Sequence, residues 1–500
     1  MKTKAITHNI IGSFSNFAFL FLTSIVLLAY YFKFISTSDY GIWLGGISFL
    51  SIVSVLEANI SLILTQQLGN KWTNNKPIEF SKYLSAALFF GLAVCGIIIL
   101  STLFFKDTLT GWVSPAKQVK ELYSDSFFLY AVSLSLTIIF GYVNTVSQVF
   151  LKTLLPPFFN IVASMLGIAF TLWKIPSLGI VAIAIGNLVK AFIYGLLVSI
   201  YGFKILKDKK IPFCFEFSYL LNLIKNIGWP FISKVGMTLA VGLQNFIIAT
   251  TISSSATTIF DITRKLPAIF QMLINMIAVS TFTSFSLFYS EQKTPQKSSH
   301  EYTNYYFSLI RLLLLFSLTG IFLIGQDFIA FWVGLDKFGG NVLLALLCIT
   351  ALTDQLRMML SQQYYAIGKF NLTSLTDTIF AISFMIIAIL LVPYLKLNGI
   401  VIAGISANVV YFACCFYLEK KSNVDMVPNI INRSLFFDLS LIILVSAIAK
   451  FIVELYRGNI IVEVTTIFMV IAILCTVFYL KEKALINFLI LKFGKTSKAK

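Results

Sequence analysis

The chain reads as an all-α polytopic membrane protein. Three observations lead there: 58% of its 500 residues are hydrophobic against 12% charged, apolar runs close to the ~20 residues of a membrane helix recur from one end to the other, and the connectors between them are short. A soluble fold of this length would show polar helix faces and long hydrophilic stretches. Neither occurs.

Taken in order, the spans fall near 13–35, 41–64, 83–105, 127–150, 155–173 and 178–201. A second series runs near 229–251, 257–288, 305–325, 341–363, 372–392 and 398–418, followed by two more near 435–455 and 460–480. That makes about 14 transmembrane helices. They divide into an N-terminal lobe (1–203), an inter-lobe connector (204–228), a C-terminal lobe (229–418), two additional helices (419–480) and a basic tail (481–500). The eighth span is long and contains Pro267, which predicts a kinked or tilted helix rather than two crossings. Gly41 and Gly45 form a GxxxG in the second span, read as close packing inside the bundle.

The opening MKTKAITHNI has a basic flank, and the apolar run after it is long and lacks a small-residue cleavage pattern, so it reads as a retained signal anchor. With both termini cytoplasmic, most connector lysines and arginines fall on the inner side, as the positive-inside rule requires. The net charge of +17 is therefore a signal of topology and of attraction to the anionic inner leaflet, not of nucleic acid. The tail, basic around the apolar 486–491, is expected to lie along that leaflet. Five of the six cysteines lie in spans, with no CxxC pair, so neither a disulfide framework nor a metal site is expected.

Two series of six spans suggest a duplication. Ile11-Gly12 and Ile227-Gly228 enter the first and seventh spans, Ser147-Gln148 and Ser361-Gln362 end the fourth and tenth, and Gly179-Ile180-Val181 and Gly399-Ile400-Val401 open the sixth and twelfth. Their separations of 216, 214 and 220 residues are nearly equal. An even number of spans preserves orientation, so the two pseudo-symmetric lobes are parallel, a plan that places a substrate site near the midplane.

Six cations sit inside hydrophobic segments: Lys190, Lys234, Arg264, Lys265, Arg311 and Arg357. Each costs at least ~2.5–3.5 kcal/mol at membrane depth, so each is expected to face a protein-lined, wet cavity. Polar stripes at helical spacing accompany them. The eighth span carries Asp261, Arg264, Lys265, Gln271 and Asn275; the seventh Lys234, Thr238 and Asn245; the tenth Thr350, Asp354, Arg357 and Ser361. In the first lobe the stripes are Ser13, Asn16 and Thr23, then Ser54, Glu57, Ser61 and Thr65, then Asn187, Lys190 and Tyr194. Asp261 with Arg264 or Lys265, and Asp354 with Arg357, also have the spacing of ion pairs that only hold helices together. Lys234 and Arg311 lie close enough to the cytoplasmic ends to snorkel. Lys190 has no acid within a turn.

Enzyme signatures are missing. Gly494-Lys495-Thr496 looks like the end of a phosphate loop, but the glycine that loop requires is replaced by Leu489. The two histidines, His8 and His300, lie at a terminus and in a connector, which excludes histidine-based chemistry inside the bundle. No cofactor, metal or catalytic residue is expected. The outer connectors are too short for a catalytic domain, which favours moving a substrate over reacting it.

The 12+2 span arrangement, the Asp39-Tyr40-Gly41-Ile42-Trp43 entry to the second span, the basic connector and the cationic eighth span resemble Wzx-type oligosaccharide flippases of the MOP superfamily. The resemblance implies translocation of an undecaprenyl-diphosphate-linked glycan across the bacterial cytoplasmic membrane. The glycan would feed O-antigen, capsule or another surface polysaccharide, with the polymerase machinery as a partner. On this reading Lys190, Arg264, Lys265 and Arg357 bind the diphosphate, Asn187, Asn245, Gln271 and Asn275 face the sugars, and Lys234 and Arg311 add positive charge. Glu57, Asp354 and Asp377 are the acids available for ion coupling; membrane potential is the other available drive. Three rivals stand beside it: a lipid II flippase, a MATE-type cation-coupled drug exporter, and a non-transporting scaffold or membrane enzyme. The first span lacks the acid a MATE exporter typically uses, and a basic cavity suits cationic drugs poorly.

Overall fold

The computed structural model describes residues 15–16, 18–19, 22–114, 120–225, 228–291, 297–366 and 369–422, and beyond them 440, 445, 447–455, 465–466, 469–470, 472 and 476. Described residues form helices and short connections, with no strand among them. The order is α1 (Leu22–Tyr31), α2 (Thr37–Leu50), α3 (Ser54–Thr73), α4 (Pro77–Val113), α5 (Lys120–Val149), α6 (Leu155–Leu178) and α7 (Ile180–Asp208). Then follow α8 (Phe217–Lys225), α9 (Gly228–Gly242), α10 (Gln244–Thr251), α11 (Ser254–Glu291), α12 (Lys297–Trp332), α13 (Asn341–Ala366) and α14 (Phe370–Ser422). Seven of these are long and apolar enough to cross a membrane. Large apolar side chains such as Ile97, Leu100, Phe104 and Trp173 are exposed along α4 and α6, as lipid-facing surfaces require. The chain is a multi-pass, all-α membrane protein.

Local chemistry explains where the helices stop. Ser36 caps α2 by accepting the Asp39 N–H at 3.1 Å, and Asp39 in the first turn suits the helix dipole. The second expected span is two helices, α2 and α3, separated by a 3-10 turn at Ser51–Val53. The seventh is likewise broken, between α9 and α10. Pro77 starts α4, a position where its missing N–H costs nothing. Pro267 sits inside α11, which runs on from Ser254 to Glu291. The eleventh and twelfth spans appear as one long α14, turned at Lys396, where the backbone is non-helical at φ 50° and ψ −128°.

The connector holds a helix that its basic composition did not announce. α8 is nine residues long, too short to register as a span. It is docked by Tyr219 against the Tyr83 ring at 4.8 Å and by the Cys214 N–H donating to Ser81 Oγ at 2.9 Å. Lys82 donates to Glu216 at 2.6 Å and holds that carboxyl below the usual carboxylate range. The contact is thus complete at neutral pH and is lost as pH falls through the lowered value. The two C-terminal spans fall largely outside the described residues, as do the N-terminal segment before Ser15 and the tail 481–500.

The repeat is visible in backbone detail, with one register. Ser36 accepts from the Asp39 N–H and Ser253 from the Ala256 N–H, both at 3.1 Å; the two serines are 217 residues apart. The Lys152 N–H bonds to the Ser147 carbonyl and the Lys369 N–H to that of Tyr364, both at 2.8 Å and again 217 apart. Gly179 (φ 52°, ψ −127°) and Lys396 (φ 50°, ψ −128°) share one conformation at the same separation. The sequence pairs at 216, 214 and 220 were therefore near neighbours of equivalent positions. The first turns of α2 and α11 meet through equivalent positions: Thr258 Oγ1 donates to the Thr37 carbonyl at 2.7 Å, while Gly41, 217 residues before Thr258, lies against Ser254, 217 residues after Thr37. A Cβ on Gly41 would overlap the Ser254 carbonyl, and one on Gly45 would come within 2.7 Å of Ala249 Cβ. The GxxxG thus packs inside the bundle.

By its contacts the chain divides into two compact units, Met1–Asp261 with Asp377–Ile400, and Ile262–Thr376 with Val401–Lys500. In the first, α4, α5, α6 and α7 pack side by side. Gly91, Gly195 and Gly202 admit Tyr142, Phe140 and Val143 of α5 at distances a Cβ would block.

The shared turn conformation is one that glycine adopts freely and lysine does not. Lys396→Gly is expected to stabilise the protein and Gly179→Lys to destabilise it, each by roughly 1 kcal/mol. Thermal unfolding of the purified protein in detergent checks both signs.

Candidate functional site

A cavity of about 520 Å³ opens within the first unit, in the size range of small-molecule sites. One helix supplies more of the described lining than any other. Along α5, Tyr130, Ser133, Thr137, Gly141, Asn144 and Gln148 line the space, and their spacing of three and four residues puts them on one face. Facing them are Asn16, Ser61 of α3, Pro156, Pro157 and Asn160 of α6, and Asn187, Lys190, Ala191 and Tyr194 of α7. Lys190 is the one charged residue among the described lining.

The lining is largely pre-set. Asn160 donates to Asn16 Oδ1 at 2.8 Å, and Thr65 Oγ1 to Gln148 Oε1 at 3.2 Å, which fixes three of the amides. Ser133 Oγ donates to the Asn187 carbonyl at 3.0 Å, tying α5 to α7. Asn187 Nδ2 donates to the Ile183 carbonyl at 3.0 Å. Ser61 Oγ is buried without a hydrogen-bond partner among the described residues, an open position for a ligand group.

Small residues set the position of Lys190. Gly167 of α6 lies so close to α7 that a Cβ there would stand 2.5 Å from the Gly186 carbonyl and 3.0 Å from Lys190 Cβ. Thr171 Oγ1 completes the contact by donating to Gly167 at 3.0 Å and to Ala182 at 3.3 Å. The lysine is thus rooted in a tight helix pair, half-buried, with no carboxylate in ion-pair contact among the described residues.

The other expected site residues have different settings. Arg357 is buried, 5% exposed; its Nε donates to Asn408 Oδ1 at 3.1 Å, and its Nη2 lies 3.5 Å from Asp354 Oδ1. Asn408 in turn donates to Asp354 at 2.9 Å and Thr353 at 3.1 Å, closing a network between α13 and the second half of α14. Gln271 donates to the Ala351 carbonyl at 2.8 Å and Asn275 to Met358 Sδ at 3.7 Å, so this stripe of α11 meets α13. Arg264 and Lys265 are half-buried on α11, whereas Arg311 on α12, Asp377 on α14 and Asn245 on α10 are buried. Glu57 and Lys234 belong to α3 and α9, with side chains outside the described residues. Of the expected stripes, the structure brings Asn16, Ser61, Asn187, Lys190 and Tyr194 to one cavity.

The α5 face was missed, although a signal existed. Ser133, Thr137 and Asn144 lie 217 residues before Thr350, Asp354 and Ser361, the stripe already visible in the tenth span. Carrying that stripe back by the true repeat length marks the cavity wall. Asn160 likewise corresponds to Asp377.

This arrangement of helices is similar in fold to solved transporters. No protein-family model and no curated protein sequence matches the chain. Among solved structures, the lipid II flippase MurJ in an inward closed conformation is similar with a TM-score of 0.71 and 17% identity, over 94% of this chain and 98% of that one. An inward-facing multidrug resistance MATE family transporter of the MOP superfamily gives 0.62 at 16% identity, over 77% and 94%. A MOP superfamily transporter from Pyrococcus furiosus, described as having a binding pocket whose reverse polarity suggests a different function, gives 0.61 at 15% identity, over 84% and 95%. At these identities the likeness defines the fold.

Breaking a buried ion pair by removing one partner costs about 3–5 kcal/mol. Because the Asp354 side chain is 27% exposed, Arg357→Met is expected to destabilise the protein by the lower figure. Arg357→Met with Asp354→Leu recovers much of that loss. Thermal unfolding of both variants measures the difference.

Proposed function

We propose that the chain is a flippase that moves an undecaprenyl-diphosphate-linked oligosaccharide from the inner to the outer leaflet of the bacterial cytoplasmic membrane, for surface polysaccharide assembly. The observation that carries this reading is the cavity lining: many amides and hydroxyls, one ammonium and no carboxylate among the described residues. Such a lining repels a cationic drug and attracts a polar, anionic head group. The Pyrococcus furiosus transporter, with its reversed pocket polarity, offers a precedent for pocket charge dividing function on this fold.

In this reading the termini are cytoplasmic, and lobes 1–203 and 229–418, joined by the connector 204–228, alternate between inward-open and outward-open states. The head group crosses through the protein while the lipid tail stays in the bilayer. Arg264 and Lys265 supply charge for the diphosphate, and Lys190 with the surrounding amides receives the remainder of the head group. Anionic inner-leaflet lipids hold the basic connectors, and a polysaccharide polymerase takes the product. Glu57, Asp354 and Asp377 remain the acids available for ion coupling.

The coverage of nearly the whole chain by the MurJ likeness favours lipid II as the second reading. The two separate genetically. In a strain whose polysaccharide flippase is deleted, the chain is expected to restore surface polysaccharide. Lys190→Ala lowers that restoration by roughly tenfold or more, the loss of one charge-assisted hydrogen bond. Rescue of a lipid II flippase deletion without restoration of polysaccharide selects the second reading.

A further inference from the structure

The cavity of the first unit is better suited to sugar than to a diphosphate. A diphosphate concentrates charge on neighbouring phosphoryl groups and is met by several cations or by arginine forks. Among the described residues this lining offers a single ammonium. What it offers in number are amides and hydroxyls, donors and acceptors side by side, which match the mixed hydrogen bonding of ring hydroxyls. The rings of Tyr130 and Tyr194 add flat apolar faces with a polar tip, suited to the C–H face of a sugar.

Two further features point to a ligand. Ser61 Oγ is buried at the wall with no hydrogen-bond partner among the described residues, and the Asn160–Asn16 bond orients the cavity's amides before anything binds, which lowers the entropy lost on binding. Lys190, rooted in the α6–α7 contact, has no counter-charge among the described lining, and an ammonium partly withdrawn from water gains from an anionic partner. A ligand carboxylate is such a partner.

We infer that this cavity is a glycan subsite that reads an acidic sugar, a hexuronate or another sugar bearing one carboxylate, with Lys190 as the group that recognises the charge. The inference rests on the flippase reading and narrows the substrate to an acidic oligosaccharide, leaving the diphosphate to other cations.

The test uses the full chain in lipid nanodiscs and three kinds of probe: short galacturonate and glucuronate oligosaccharides, their methyl esters, and undecaprenyl diphosphate without sugar. At least one acidic oligosaccharide is expected to bind about tenfold tighter than its ester. Lys190→Met abolishes that preference while Lys190→Arg keeps it, and neither changes the affinity for undecaprenyl diphosphate. Equal binding of acids and esters by the unaltered protein, or no binding of either, overturns the inference. So does a tenfold loss of undecaprenyl diphosphate affinity in Lys190→Met, which would assign the ammonium to phosphate. If acidic oligosaccharides bind with the expected preference but undecaprenyl diphosphate does not bind at all, the sugar subsite stands and the flippase reading falls.

Discussion

Inside a hydrocarbon layer no polar group can turn to bulk water, so each must find a partner in the protein or border a wet cavity. Two fates that meet this constraint are seen among the described polar residues. Arg357, Asp354 and Asn408 satisfy one another between α13 and α14, Gln271 bonds the backbone of α13, and Tyr364 donates to the buried Glu419 at 2.7 Å. These groups hold helices together. Lys190 has the other fate: it borders a cavity whose described walls carry amides and hydroxyls but no balancing acid. A charge with no balancing acid among the described residues is a charge available to a ligand.

The position of that charge depends on small residues. Lys190 lies one turn beyond Gly186, and Gly186 meets Gly167 and Thr171 where a Cβ would overlap the threonine hydroxyl. Enlarging either glycine would separate α6 from α7 and move the ammonium. The same device recurs at the first turns of α2 and α11, where Gly41 meets the Ser254 carbonyl. Close approach of backbones, rather than charge, fixes the frame in which the charges act.

The span pattern was legible because a membrane helix needs only length and apolarity, both local properties. Boundaries that depend on backbone geometry were less so: the breaks at Ser51–Val53 and between α9 and α10 fall inside runs that remain apolar. The short α8 lay below the length at which hydropathy speaks. At the site, the stripe of Asn187, Lys190 and Tyr194 could be read because a lysine announces itself in an apolar run, whereas Ser133, Thr137 and Asn144 on α5 carry no charge and passed as ordinary packing. For Arg357 the sequence left both an ion pair and a cavity role open. What decided its setting was Asn408, 51 residues away, a contact that no local pattern contains.

The central claim is that the cavity between α5, α6 and α7 receives an anionic head group at Lys190. Cryo-electron microscopy of the protein loaded with undecaprenyl-diphosphate-linked acidic oligosaccharide tests it most directly. The account predicts sugar density in this cavity with an acidic group in contact with the Lys190 ammonium. An empty cavity, with the oligosaccharide bound elsewhere, would contradict it.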